Sequence, residues 1–192
     1  SPLPPLYKDL GLRSFQERFP WWGGDLQTLR DTFVSEQLPS ENGKAIEIDV
    51  PPLQSGLAGK GKLLAFLDLP EDTLNLRGLV LLLHGLGGSS RRIGLRRMAC
   101  SLIDAGFGVL RLNLRGADPG RHLAGGTYAA ECNSDLRPVI IHARELCGVL
   151  GIKANDRKVP LPLFGAGISL GGTMLLNACL DDQVYFPHGK PV

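Results

Sequence analysis

The chain has 192 residues, 43% of them hydrophobic and 21% charged, with 21 Lys and Arg against 19 Asp and Glu for a formal net charge of +2. That length is enough for one domain with a substantial core, and the near-neutral balance excludes the basic footprint of a nucleic-acid binder. No run of 18 or more apolar residues offers a membrane-spanning helix, and the four cysteines, widely spaced without a C-x-x-C, argue against metal binding or redox pairing.

Taken in chain order, Ser1 to Gly24 is rich in proline and aromatic residues and is expected to wrap the surface as an amino-terminal extension, residues 1–24. A short helix is expected near Leu26 to Thr32. Ala45 to Val50 alternates apolar and acidic residues, Pro51 to Gly61 is turn-like, and Lys62 to Leu69 reads as a second strand; together they predict an antiparallel hairpin on a sheet edge. Gly78 to Leu83 is a continuous apolar run suited to a strand buried on both faces, and it ends in His84-Gly85-Leu86-Gly87-Gly88. A glycine-rich turn of this kind can aim backbone N–H groups at one point in space.

Leu95, Met98, Ala99, Leu102 and Ile103 then recur at helical spacing, with Arg92, Arg96 and Asp104 on other faces. Val109 to Leu114 reads as a strand, and a glycine-rich loop runs to Tyr128. The next helix carries Leu136, Val139, Ile140, Ala143 and Cys147 on its apolar stripe, with Asn133 or Ser134 as N-cap. Pro138 is tolerated there because first-turn residues have no intrahelical N–H bond to lose. Leu161 to Gly167 supplies another strand and Leu170 to Leu180 another helix. Three successive strand-helix units predict a mainly parallel sheet with right-handed crossovers and helices on both faces.

The junction of the last strand and helix is Gly167-Ile168-Ser169-Leu170-Gly171, a G-x-S-x-G pentapeptide that reads as a nucleophile elbow. Small residues two before and two after let neighbouring backbone approach without a Cβ clash, so the serine hydroxyl projects above the sheet. In parallel sheets ligands sit at the carboxyl ends of the strands, where both Ser169 and the His84 turn fall.

The order of these parts resembles the α/β-hydrolase superfamily. Leu26-Gln27-Thr28, His84-Gly85-Leu86-Gly87-Gly88-Ser89-Ser90 and the Leu114-Arg115-Gly116 after the next strand are similar to the fourth AB-hydrolase family, over nearly the whole stretch from Pro20 to Leu180. The resemblance implies an α/β-hydrolase fold and a serine hydrolase acting on carboxylic esters, esterase-like or lipase-like. Ser169 would be the nucleophile, with the Leu170 N–H and one from the His84 turn, Leu86 or its neighbour Gly87, forming the oxyanion hole. His84, Gly85, Gly87, Gly167 and Gly171 would shape the supporting turns. Two departures stand out. Gly23-Gly24-Asp25 stands where the family has a histidine before the Leu-Gln-Thr, and the acid and histidine of the superfamily's triad follow later strands, whereas this sequence stops at Val192.

Asp181, Asp182 and His188 are poor substitutes, since a helix from Leu170 to Leu180 carries its far end about 16 Å from the elbow. His84 is expected to shape the turn rather than to act as a base, His122 to face solvent from its loop, and His142 to be inert on the polar side of a helix. The expectation is therefore that residues 25–192 are the amino-terminal part of one hydrolase domain whose carboxyl-terminal strands are absent. The sheet would otherwise end on a hydrophobic edge at the nucleophile strand.

Other chemistries fit less well. Gly56 to Lys62 begins like a P-loop, but Leu63 replaces the magnesium-binding Ser or Thr and the stretch precedes a strand. Gly165-Ala166-Gly167 misses a dinucleotide fingerprint because Leu170 occupies the third glycine position. Three of Cys100, Cys132, Cys147 and Cys179 fit helix faces as small core residues. No metal and no cofactor is expected, and no obligate protein partner.

Arg91, Arg92, Arg96 and Arg97 gather at a helix start near the presumed active-site face. They read as a solvated helix face, with attraction of an anionic headgroup as the alternative. Ser1-Pro2-Leu3-Pro4-Pro5 lacks the basic start and apolar core of a signal peptide, so a cytoplasmic location is expected. Phe15, Phe19, Trp21 and Trp22 either pack on the sheet or give peripheral contact with a bilayer, which would suit a lipid ester. The competing reading is a catalytically inactive hydrolase-fold binding or scaffold protein that keeps Ser169 without a base.

Overall fold

The structure is a computed structural model that describes residues 11, 16–17, 19–26, 37–52, 61–128, 132–155 and 159–180. Backbone contacts divide the chain into two compact units, residues 1–37 and 38–192. In the first, a helical turn covers residues 23–26, the Gly23 N–H is donated to Glu17 Oε1 at 3.1 Å, and the exposed rings of Phe19 and Trp22 meet edge to face at 5.2 Å. Most of the helix expected from Leu26 to Thr32 lies outside the described residues, as do Phe15, Asp181, Asp182, His188 and most of the turn before Gly61.

The second unit is built on a five-stranded sheet. Strands β1 (Lys44–Val50) and β2 (Gly61–Asp68) form the antiparallel edge hairpin, followed by β3 (Leu79–Leu83), α1 (Ile93–Asp104), β4 (Gly108–Leu112), α2 (Leu136–Asn155), β5 (Leu163–Gly167) and α3 (Leu170–Leu180). The spatial order is β1-β2-β4-β3-β5, with β2 antiparallel to β4 and β3 parallel to both β4 and β5. This is the mixed sheet with flanking helices that the sequence pattern predicts.

Side-chain alternation sorts the layers. Leu82 and Val109 face α1, where Leu95 and Ala99 are buried against them. Leu79, Leu81, Leu83, Leu110 and Leu112 face the other way, onto Leu136, Val139, Ala143 and Cys147 of α2 and Met174 and Ala178 of α3. All five residues of β3 are buried, as a strand covered on both faces requires.

Three details differ from the sequence reading. Met98 lies on the exposed flank of α1, because Leu95 and Ala99, one turn apart, take the line of contact. Asn133 and Ser134 lie in a 3₁₀ turn over Cys132–Asp135, and α2 begins at Leu136, so Asp135 takes the position before the helix. Pro138 then falls in the first turn, where its missing N–H costs no intrahelical bond. Cys147 is buried and Cys100 half-buried, but Cys179 is exposed, because α3 is covered only along Gly171, Met174 and Ala178.

That last point reflects the edge of the sheet. Among the described residues no strand pairs with the outer side of β5, and Phe164 on this strand is 47% exposed. Leu176 and Leu180 on α3 are 69% and 81% exposed. The expected hydrophobic edge at the last strand is present.

Candidate active site

The strand order places the site. The chain leaves β3 for α1 on one face of the sheet and leaves its neighbour β5 for α3 on the other. The carboxyl ends of β3 and β5 thus flank a topological switch point, where parallel sheets leave a crevice.

Ser169 sits in that crevice at φ +49°, and it is the sole non-glycine residue with positive φ among the described residues. Holding a residue with a Cβ in the left-handed region costs about 1 kcal/mol or more, so the surroundings must enforce it. They do so by close approach. A Cβ on Gly167 would stand 2.5 Å from the backbone of Gly171 and Gly172, and one on Gly171 would stand 2.5 Å from the His84 carbonyl oxygen. The turn is closed by bonds from Gly171 N–H to Ile168 O (2.9 Å) and from Thr173 N–H to Ser169 O (3.1 Å). Ile168 N–H is donated to Leu83 O at 3.1 Å, tying the elbow to β3.

Opposite it lies the turn after β3. Gly85 packs against the elbow so closely that a Cβ there would meet Ile168 O at 3.0 Å and the Ser169 Cβ at 3.3 Å. His84 is only 2% exposed and both its ring nitrogens are engaged. Nε2 accepts the Leu114 N–H at 3.1 Å, which leaves Nδ1 as the protonated nitrogen, donating to Gly85 O at 2.8 Å. Burial pushes its pKa below the ordinary 6.5, against a smaller opposite pull from the Gly85 carbonyl. With both nitrogens engaged, the imidazole has no lone pair free and ties the turn after β3 to the one after β4.

Several further bonds bind this turn to the one after β4. Ser90 N–H is donated to Asn113 Oδ1 at 2.9 Å, and Gly87 N–H to the Tyr128 hydroxyl at 2.6 Å. The Leu86 side chain is 80% exposed, and neither its N–H nor that of Leu170 has a partner among the described residues. Beneath the loop, Arg115 and Asp135 form a fully buried pair, Nε to Oδ2 at 2.9 Å and Nη2 to Oδ1 at 2.7 Å. Two further donors of Arg115 reach Gly125 O and Pro51 O. Sequence reasoning passed over Tyr128 and Arg115 as functional residues. A long glycine-rich loop gives no register to say which of its residues turns inward.

The other candidate groups lie elsewhere. His122 lies in a 3₁₀ turn near Glu47 of β1, at the opposite edge of the sheet from β5 and about 19 Å away at the usual strand spacing. His142 is half-buried on α2, with Nδ1 3.7 Å from Glu145. Of the arginine cluster, Arg91, just before α1, pairs with Glu41 at 3.2 Å, and Arg96 within α1 donates to the Pro39 carbonyl. Nearby, a cavity of about 210 Å³ is lined by Glu41, Asp68, Arg96, Cys100 and Arg111, with Arg111 held by Asp68, Glu41 and Ser90 O. Among the described residues, no cluster of three or more His, Cys, Asp or Glu side chains comes together, and no helix is long and apolar enough to cross a membrane.

No family model and no curated protein matches this chain. Solved structures do. An α/β serine hydrolase without a lid from Xanthomonas campestris is 22% identical, with 76% of this chain and 59% of that one covered and a TM-score of 0.51. Est1E from Butyrivibrio proteoclasticus, solved with bound ferulic acid, is 20% identical over 72% of this chain and 48% of that one, with a TM-score of 0.53. An α/β serine hydrolase homologue from Coxiella burnetii is 16% identical over 78% and 62%, with a TM-score of 0.52. The likeness is one of fold: these residues adopt the α/β-hydrolase fold, and the chain spans about half to six-tenths of the length of these structures.

Proposed function

We propose that the protein is a serine hydrolase of carboxylic esters, with Ser169 as nucleophile. The observation that carries this reading is the enforced left-handed conformation of Ser169 between Gly167 and Gly171, at the carboxyl end of β5 and against the Gly85 turn. Strain held by close backbone contact at a crevice is characteristic of a reacting group.

In the proposed reaction, Ser169 Oγ attacks the ester carbonyl as a base takes its proton. The tetrahedral intermediate expels the alcohol, and water then releases the acid from the acyl-enzyme. The N–H groups of Leu170 and Leu86, both without partners among the described residues, would receive the oxyanion. Each such donor contributes about 3 to 4 kcal/mol to the transition state. Gly87 fits this role less well, because its N–H is already donated to Tyr128. We assign the base to a histidine outside the described residues, oriented by an acidic side chain, since both ring nitrogens of His84 are engaged and His122 lies at the opposite edge of the sheet.

The similarity of the His84 turn and the Leu114-Arg115-Gly116 segment to the fourth AB-hydrolase family suggests small or lipid esters as substrates. The exposed Phe19 and Trp22 are suited to a lipid surface. Hydrolysis of short-chain and long-chain nitrophenyl esters by the full-length protein tests the reading. Turnover that vanishes in Ser169→Ala with an unchanged circular dichroism spectrum supports it; turnover that survives overturns it.

A further inference from the structure

The proposed oxyanion turn has a peptide geometry that can be followed bond by bond. Leu86 stands between two peptide units, and its own N–H shares the first of them with the Gly85 carbonyl. That carbonyl oxygen accepts two bonds, from His84 Nδ1 at 2.8 Å and from Gly88 N–H at 3.0 Å. In a trans peptide the N–H points opposite to the C=O, so pinning Gly85 O aims the Leu86 N–H away from the His84 ring. The second unit, Leu86 C=O with Gly87 N–H, is held by a different side chain, the Tyr128 hydroxyl at 2.6 Å. Gly87 itself is at φ +66°, and a Cβ there would meet nothing within 4 Å, so the Tyr128 bond and the turn's own Gly88 N–H to Gly85 O bond hold this half.

Tyr128 is itself delivered by a rigid support. Its N–H is donated to Arg115 O at 2.8 Å, and the Arg115 guanidinium is locked by the buried Asp135 and by Gly125 O within the same loop. Its ring meets His84 edge to face at 5.6 Å. The two side chains that pin the peptide units on either side of Leu86 therefore brace each other.

We propose that Tyr128 is a positioning residue for ester hydrolysis: its phenol oxygen takes the Gly87 N–H, fixing the Leu86–Gly87 peptide so that the turn presents the Leu86 N–H as its oxyanion donor. This rests on the serine-hydrolase reading above. Tyr128 does not touch the reacting atoms; it acts through the turn. Because an oxyanion donor strengthens only as charge develops, its misplacement lowers kcat more than it raises KM.

The test uses the full-length protein and the Tyr128→Phe variant, which keeps the ring against His84 and removes only the acceptor. The expected result is a kcat for nitrophenyl esters reduced about 10-fold to 100-fold, a fraction of the loss for removing an oxyanion donor outright, with KM within about twofold. The loss should be smaller for the matched thionoester, whose sulfur accepts a hydrogen bond weakly. Unchanged kcat, or equal losses for oxoester and thionoester, would overturn the proposal while leaving Ser169 in place. Turnover retained in Ser169→Ala, assayed alongside, would instead remove the reading on which it rests. Amide hydrogen exchange on the unmutated protein gives a readout that does not depend on the variant folding. Gly87 N–H should be protected relative to Leu86 N–H, and equal exchange of the two would count against the proposal.

Discussion

The carboxyl ends of β3 and β4 and the outer side of β5 lie close together and are built in opposite ways. The first region is cross-tied: His84 spans to Leu114, Ser90 to Asn113, Gly87 to Tyr128, and Arg115 to Asp135 below. The second is bare, with Phe164, Leu176 and Leu180 exposed and no strand paired with β5 among the described residues. Ser169 sits on the boundary, its elbow clamped by the tied side and its far flank open. On the proposed reading, the tied side carries the oxyanion donors and the open flank is the side from which a base would approach.

This contrast can be broken from the tied side first. Ser169→Ala should reduce ester turnover of the full-length protein by about 10⁴-fold or more in kcat, with no loss of thermal stability. Gly171→Ala places a methyl 2.5 Å from the His84 carbonyl oxygen and should push the elbow off the turn, eliminating activity and lowering the midpoint of urea unfolding.

Asp135→Asn leaves the Arg115 guanidinium buried without its counter-charge and should cost about 3 to 5 kcal/mol of stability, read from the same urea titration. An equally large effect from truncating the bare side would dissolve the distinction. There Leu176→Ala should change the stability of this 192-residue chain by less than about 0.5 kcal/mol, against about 2 to 5 kcal/mol for Leu82→Ala in the covered centre of the sheet.

The smallest expected effect is on pH. His84 has a folded-state pKa below its ordinary 6.5, so the unfolded chain takes up a proton that the folded one refuses. Its contribution to stability is complete above about pH 6.5 and is lost as the pH falls through the lowered folded value. Urea midpoints measured downward from pH 7 should therefore decline below pH 6.5, and the two-dimensional NMR signal of His84 should show the Nδ1–H tautomer at neutral pH.

Much of this architecture is legible in the sequence because it depends on local pattern. The continuous apolar run of β3, the helical spacing on α1 and α2 and the hairpin alternation of β1 and β2 each follow from which faces are covered, and each appears within about two residues of its expected place. The G-x-S-x-G elbow is legible for the same reason, since its small residues answer to backbone contacts a few positions away. Tyr128, Arg115 and Asp135 are not legible. Their roles come from bonds across 41 and 20 residues of sequence, in a loop with no periodicity. Met98 and Cys179 went astray where a helix has one covered line rather than a broad face.

Intact mass spectrometry of the protein from its native source, with and without a fluorophosphonate probe, reads directly whether Ser169 is a nucleophile. A single covalent adduct that disappears in Ser169→Ala is expected. A native protein that acquires no adduct, or that keeps it when Ser169 is replaced, would contradict that role and leave the elbow as a turn in a hydrolase-fold binding protein.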